Sequence, residues 1–414
     1  MRSTLGLFRH RNFTLFLLGY WISYLGSAMA PVAVAFAVLD LTGSASALGL
    51  VLAARVLPHV LLLLVGGVWS DRLPRNTVIA GASVVAGAAQ ALVALLLISG
   101  NAEVWQIVIL EAVNGGAFAF GGPAVNGMVP LVVPDGRFQE ANSIIRFGAN
   151  AASIGGAVLA GLLVAAINPG WTVAIDALTF FVSAGLLTGM RGINAASQVA
   201  SSFITDLRMG WDEFRSHRWL WAIVLQFSVM LAAFLGGFVV LGPVIAARDM
   251  DGPHSWALIV GAEAAGFLVG SILMLRIRAS RPILIATLTV FVQALPLILL
   301  ALGLSAPLVA LGAFAEGIAV QIFSVYWFTA LQEHVAPEAL SRVSAYDALG
   351  SLALSPLGMA IAGPASDLIG VNAALWICSA IIIGATAAVL FVPEVRQLRS
   401  RATVMVADVP GPAS

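Results

Sequence analysis

Apolar residues run almost unbroken for twenty or more positions at a time along this chain, and polar residues gather in short clusters between the runs. No strand-length segments of alternating character occur, so the chain reads as helical throughout. Runs bounded by charges or by Pro and Gly predict spans 1–12 over 13–39, 47–69, 76–98, 105–132, 142–167, 171–190, 219–246, 254–275, 282–302, 307–330, 343–369 and 372–393. Most exceed the ~20 residues that cross ~30 Å of hydrocarbon, so tilted helices are expected. The first run follows Arg2, Arg9 and Arg11 without a small-residue cleavage site, which makes it a retained helix. The longest polar interruption, 191–218, divides the spans six and six. The expected organisation is a first bundle over 1–190, a linker over 191–218, a second bundle over 219–393 and a tail over 394–414. Gly67 and Gly270, Arg75 and Arg278, Pro134 and Pro337, and Gly155 and Gly358 pair at one common offset, the mark of a duplicated six-helix unit. The fold class is therefore all-α integral membrane: twelve transmembrane helices in two repeated six-helix bundles.

Composition removes other classes. The chain is 60% hydrophobic and 10% charged with a mean hydropathy of +1.00, whereas a soluble domain carries about 25% charged residues. Every basic residue is Arg; without Lys there is no phosphate loop of the G-x-x-x-x-G-K type and no Schiff-base chemistry. A lone Cys378 excludes an intramolecular disulfide and a multi-thiolate metal site. No enzyme chemistry, cofactor, metal or nucleic-acid partner is expected. Nearly all arginines fall on one side if both termini are cytoplasmic, Arg248 alone lying in an outer loop, and that asymmetry sets the orientation.

Spans 2 and 3 are joined by Gly67-Val68-Trp69-Ser70-Asp71-Arg72-Leu73-Pro74-Arg75. Such a glycine lets a neighbouring helix approach, an acid can face a helix N-terminus, and Arg72 and Arg75 can anchor the loop at the cytoplasmic surface. Here the sequence resembles the major facilitator superfamily, with G-x-x-x-D-R-x-x-R after span 2 and twelve helices in two repeated halves. It looks most like the branch of enterobactin exporters and macrolide efflux proteins, through Arg9, Asn12 and Phe13, Pro134 with Ala141-Asn142-Ser143, Ile175-Asp176-Ala177, and Pro356-Leu357-Gly358 with Gly363-Pro364. The chain departs from the family pattern at Pro74, where Gly is usual, and at Ala157, where an antiporter motif has Pro. The resemblance implies a latch in which Asp71 meets the start of span 11 and Asp347 accepts from Arg72 or Arg75. Met274 stands where the second half would repeat the Asp.

Ionisable groups inside a span are costly and mark function by default. Arg55, Glu111, Glu263 and Glu316 lie ~12–15 Å below the outer ends of their spans at 1.5 Å per residue. In the resembling fold spans 1, 4, 7 and 10 line the cavity, which sets Glu111 and Glu316 facing each other. Arg55 and Glu111 read either as a working pair or as a static salt bridge; Glu316, with no cation evident nearby, reads as the protonatable or substrate-binding acid. Glu263 carries both readings. His59, one turn from Arg55, suits proton coupling or simple packing, and Asp176 reads as a helix-start or structural acid. The cavity candidates are Tyr20 and Tyr24 with Ser27 on span 1, Asn114 and Phe118 on span 4, Gln226, Met230 and Phe234 on span 7, and Gln321 on span 10. A wide apolar chamber with few polar anchors suits an amphipathic cargo.

The expected function is secondary active transport by alternating access, most simply proton-coupled export of a drug- or siderophore-like small molecule, by a monomer in the bacterial inner membrane. The alternative is a non-transporting sensor or assembly partner that kept the fold.

Overall fold

A computed structural model of the chain describes residues 4–133, 137–191, 203–274, 276–277 and 279–399, and within these it describes the backbone alone for 64–72, 203–208 and a few scattered positions. The described residues form helices and no strand. Among the described residues twelve helices are long and apolar enough to cross a membrane. Spans 1–6 are Arg11–Thr42, Ala45–Arg72, Arg75–Ser99, Val104–Val132, Phe138–Ala166 and Pro169–Thr188. Spans 7–12 are Arg218–Asp249, Gly252–Met274, Pro282–Ala301, Ala306–His334, Arg342–Ile369 and Val371–Val389. Between the two sets, inside the stretch 191–218, stands an amphipathic helix, Phe203–Ser216.

Local chemistry ends these helices. Gly43 takes φ 61° after span 1, and its N–H returns to the Leu39 carbonyl at 2.7 Å. Glu103 and Gln106 form a reciprocal capping box at the start of span 4, and the Asn168 side chain accepts from the Trp171 N–H ahead of span 6. Short connections then make sequential spans run antiparallel. Large apolar side chains such as Leu61, Leu95, Leu178 and Leu311 stay exposed on the outside of the bundle, as lipid contact requires.

Three spans are less regular than their apolar runs predict. Span 7 carries a π-helical stretch at Leu235–Leu241 over Gly236-Gly237, and span 9 tightens to a 3₁₀ turn at Val290–Ala294 just before Pro296. Span 11 is interrupted between Leu352 and Ser355, ahead of Pro356. The Leu354 N–H beside that break donates to the Ser228 hydroxyl of span 7 at 3.3 Å.

The halves meet chiefly through two pairs of spans, 2 with 11 and 5 with 8. The contacts lie toward the ends bearing Ser46, Gly161, Pro253 and Asp367. A Cβ on Gly49 would overlap the Met359 carbonyl, one on Gly363 the backbone of Ser46, and one on Gly161 the side chain of Ala257. The Ser46 hydroxyl donates to Asp367 Oδ2 at 2.6 Å. At the other end the helix Phe203–Ser216 packs on the first segment of span 11, with the ring of Trp211 5.5 Å and that of Phe214 6.0 Å from Tyr346.

Candidate functional site

Spans 2 and 4 pack so closely that a Cβ on Gly115 would overlap the Arg55 carbonyl. That approach turns Glu111 inward, where it is 1% exposed. Arg55 Nη1 lies 3.4 Å from Glu111 Oε2, and the Gln90 amide of span 3 donates to Glu111 Oε1 at 3.0 Å. The expectation that Glu111 faces Glu316 across the cavity therefore does not describe this geometry. Glu111 belongs to the interior of the first half, because the small residue on its own helix lets span 2 cover it.

Arg55 also stands over the Phe118 ring at 5.5 Å from its centroid, and Phe118 meets Phe180 of span 6 edge-on at 5.9 Å. Around this group lies a cavity of about 350 Å³ walled by Tyr24, Ser27, Arg55, His59, Phe118 and Ser153, among others. Tyr24, Phe118, Arg55 and His59 thus come together from three spans. Tyr20 is one turn along span 1, its ring 5.6 Å from that of Tyr24.

The remaining cavity candidates point elsewhere. Asn114 is fully buried within the first half. The Gln226 amide donates to Thr386 of span 12 at 3.3 Å, and Phe234 stacks on Phe238 at 5.1 Å with Met230 wholly buried nearby in sequence. That helical stripe is a core face of the second half. Gln321 packs its Cβ against Gly270 of span 8. Asp176 is not at a helix start; span 6 begins at Pro169 and is capped by Asn168, so Asp176 is about two turns in and wholly buried.

In the second half spans 8 and 10 approach through Gly266 and Gly317, whose Cβ atoms would overlap the carbonyls of Phe314 and Glu263. The approach sets the Glu263 carbonyl against Gly317, the residue next to Glu316, so the two acids stand at one level of adjoining helices. Glu316 is 1% exposed, and its Oε2 has no hydrogen-bond partner among the described residues. The pairing was missed in the sequence, although a glycine immediately after Glu316 and another three positions after Glu263 were its signal.

In the loop motif, the side chains of Gly67, Asp71 and Arg72 lie outside the described residues, as do Pro134 and Arg278 of the repeat. Arg75 opens span 3. Asp347 is buried and accepts from Trp327 Nε1 at 2.9 Å and from the Ser351 hydroxyl at 3.3 Å, so its described partners belong to the second half. Gln90, Trp327 and Ser228 are polar partners that the apolar runs concealed. Among the described residues no cluster of His, Cys, Asp and Glu has the makings of a metal site.

A family model described as Major Facilitator Superfamily matches residues 16–355. Macrolide efflux protein A of Streptococcus pyogenes is 25% identical over 393 residues, covering 92% of this chain and 95% of its own length. Multidrug efflux pump Tap of Mycolicibacterium fortuitum is 24% identical over 396 residues, covering 90% of this chain and 93% of its own. A solved point variant of the nucleoside transporter NupG superposes with a TM-score of 0.73 at 14% identity, over 91% of this chain and 99% of its own, a likeness of fold.

Proposed function

The chain belongs to the Major Facilitator Superfamily and is a multi-pass membrane transporter, not an enzyme, and from that premise we propose that it is a proton-coupled exporter of amphipathic small molecules working by alternating access. The observation that carries the reading is the cavity of Tyr24, Arg55, His59 and Phe118 between membrane-crossing helices, in a protein whose halves touch mainly at one end. Aromatic walls with a few polar groups suit a large, mainly apolar cargo. The efflux proteins similar to this chain over nine-tenths of its length support the outward direction and a drug-like cargo. Residues 191–218 serve as the linker between bundles 1–190 and 219–393, and 394–414 as a tail.

In this reading the protein works as a monomer in the bacterial inner membrane with both termini in the cytoplasm. The contacts of Ser46, Gly49 and Gly363 then close the outer side, and the state described is open inward. Reporters placed after Arg75, within 195–215 and after Arg401 should report cytoplasm, and one near Asp251 the outside; a cytoplasmic signal at Asp251 would sink the orientation.

Transport itself is tested in proteoliposomes with an imposed pH gradient and two probes, erythromycin and ethidium. Gradient-dependent accumulation of either supports the exporter, and its absence for both, with the protein folded and oriented, removes the reading of a proton-driven drug exporter and leaves a transporter of another cargo or coupling.

The latch of Asp71, Arg72 and Arg75 against span 11 is part of the same proposal. An acid facing a helix N-terminus contributes ~0.3–1 kcal/mol when exposed and up to ~2 when partly buried, which shifts a two-state equilibrium by about twofold to roughly thirtyfold. Asp71→Asn should insert normally and transport slowly; wild-type rates in this variant would reduce the motif to a plain loop.

A further inference from the structure

The interior of the first half holds one acid more than its salt bridge uses. Asp176 is 0% exposed, and neither of its carboxyl oxygens has a hydrogen-bond partner among the described residues. Both amide atoms of Asn114, the Ser27 hydroxyl and Gln90 Oε1 are likewise buried and unpartnered.

These groups share one depth. Spans 4 and 6 run in the same direction and touch through Phe118 and Phe180, and Asn114 and Asp176 each stand one turn before that contact. A Cβ on Gly26, the neighbour of Ser27, would come within 2.6 Å of Asp176 Oδ1. Gln90 is tied to the same layer through Glu111. The layer is one residue behind the cavity wall, since Ser27 itself and Gly115, next to Asn114, line the cavity.

Charge counting sharpens the point. Arg55 of span 2 and Glu111 of span 4 are the charged groups acting on Asp176. His59 stands one turn along span 2 and the Tyr24 phenol on span 1, while span 3 offers only the Gln90 amide. Two carboxylates against one guanidinium leave a net negative charge inside an apolar bundle, which is costly. One added proton removes it. The unpartnered groups fit a proton better than a metal ion, because Asn114 and Ser27 each have a donor and an acceptor to serve both forms of a carboxyl, whereas a metal ion would leave the Asn114 donor unserved.

We propose that Asp176 binds and releases a proton one residue behind the wall of the cargo cavity, with Asn114 and Ser27 as its alternating partners. A carboxylate oxygen takes the proton that cavity water delivers through Ser27, which lines the cavity, and later returns it by the same route. The inference rests on the transporter reading and adds to it a second proton site, in the half opposite Glu263 and Glu316.

Dicyclohexylcarbodiimide reacts with protonated carboxyls shielded from water, and this labelling needs no cargo, so it is decided separately from transport. On the full-length protein, mapped by mass spectrometry, the Asp176 adduct should form in acidic buffer and fall about tenfold or more in alkaline buffer as the group ionises. Asp176→Asn should lose that adduct, keep those on Glu263 and Glu316, and take up fewer protons per erythromycin in proteoliposomes. Asp176 that stays unlabelled at every pH overturns the proposal. Label blocked by sodium ions at fixed pH overturns it in favour of a metal cation, and an unchanged proton count in Asp176→Asn does so as well. If the variant fails to fold, the pH series and sodium competition on the wild type still decide.

Discussion

Arg55→Met should yield far less folded protein than the wild type, and what folds should lose its monodisperse peak in detergent at a clearly lower temperature. The guanidinium is the cation serving Glu111 at 3.4 Å, and it also acts on Asp176. Removing it leaves Glu111 and Asp176 in the bundle interior without the cation that serves them among the described residues. Breaking a buried pair from one side costs about 3–5 kcal/mol, whereas removing both partners is often neutral. Arg55→Met with Glu111→Gln should therefore recover much of the lost stability, and the recovery measures the interaction in a double-mutant cycle. Glu111→Gln alone should be milder than Arg55→Met, because Asp176 remains to face the guanidinium. Size-exclusion profiles after a heating series on the three variants check the order. A loss in the double variant equal to the sum of the two single losses would mean that the pair makes no specific contribution.

That network shows what an apolar run conceals. The twelve spans were legible because crossing a bilayer imposes a length and a hydrophobicity that few charges interrupt. The side each residue presents was not, because spans apolar all round carry no polar face to orient them. Gln226, Met230 and Phe234 were legible as one helical stripe, yet the neighbour that receives the stripe is chosen by the rest of the bundle, and Thr386 of span 12 takes Gln226. Glu111 and Arg55 could be placed at similar depth by counting along their helices. Their meeting depends on Gly115, whose missing side chain draws span 2 onto span 4. The breaks in spans 7, 9 and 11 had their cause in the sequence at Gly236-Gly237, Pro296 and Pro356. Their place within continuous hydrophobic runs hid them.

Glu316→Gln should abolish accumulation driven by a pH gradient while sparing counterflow exchange of cargo down its own gradient. Glu316 is buried beside Glu263, on two helices brought together by Gly266 and Gly317, and its Oε2 has no partner among the described residues. Two carboxylates so placed repel, and a proton taken up by the pair relieves that repulsion. A carboxyl that is neutral while open to the acidic outside and ionised while open to the cytoplasm carries a proton inward as cargo leaves. Glutamine holds the neutral shape permanently, so the protein should fold at least as well as the wild type and still rock between its two states with cargo bound. The pH gradient no longer has a handle at this point of the cycle, whatever Asp176 contributes in the other half. Proteoliposomes loaded with erythromycin measure both modes on one preparation: gradient-driven uptake should fall at least about tenfold, while counterflow stays within about twofold of wild type, a difference of ~1 kcal/mol or more between the two modes. Glu263→Gln is the control that assigns the proton within the pair. If it alone loses the driven mode and Glu316→Gln keeps it, Glu263 is the carrier and Glu316 only its neighbour.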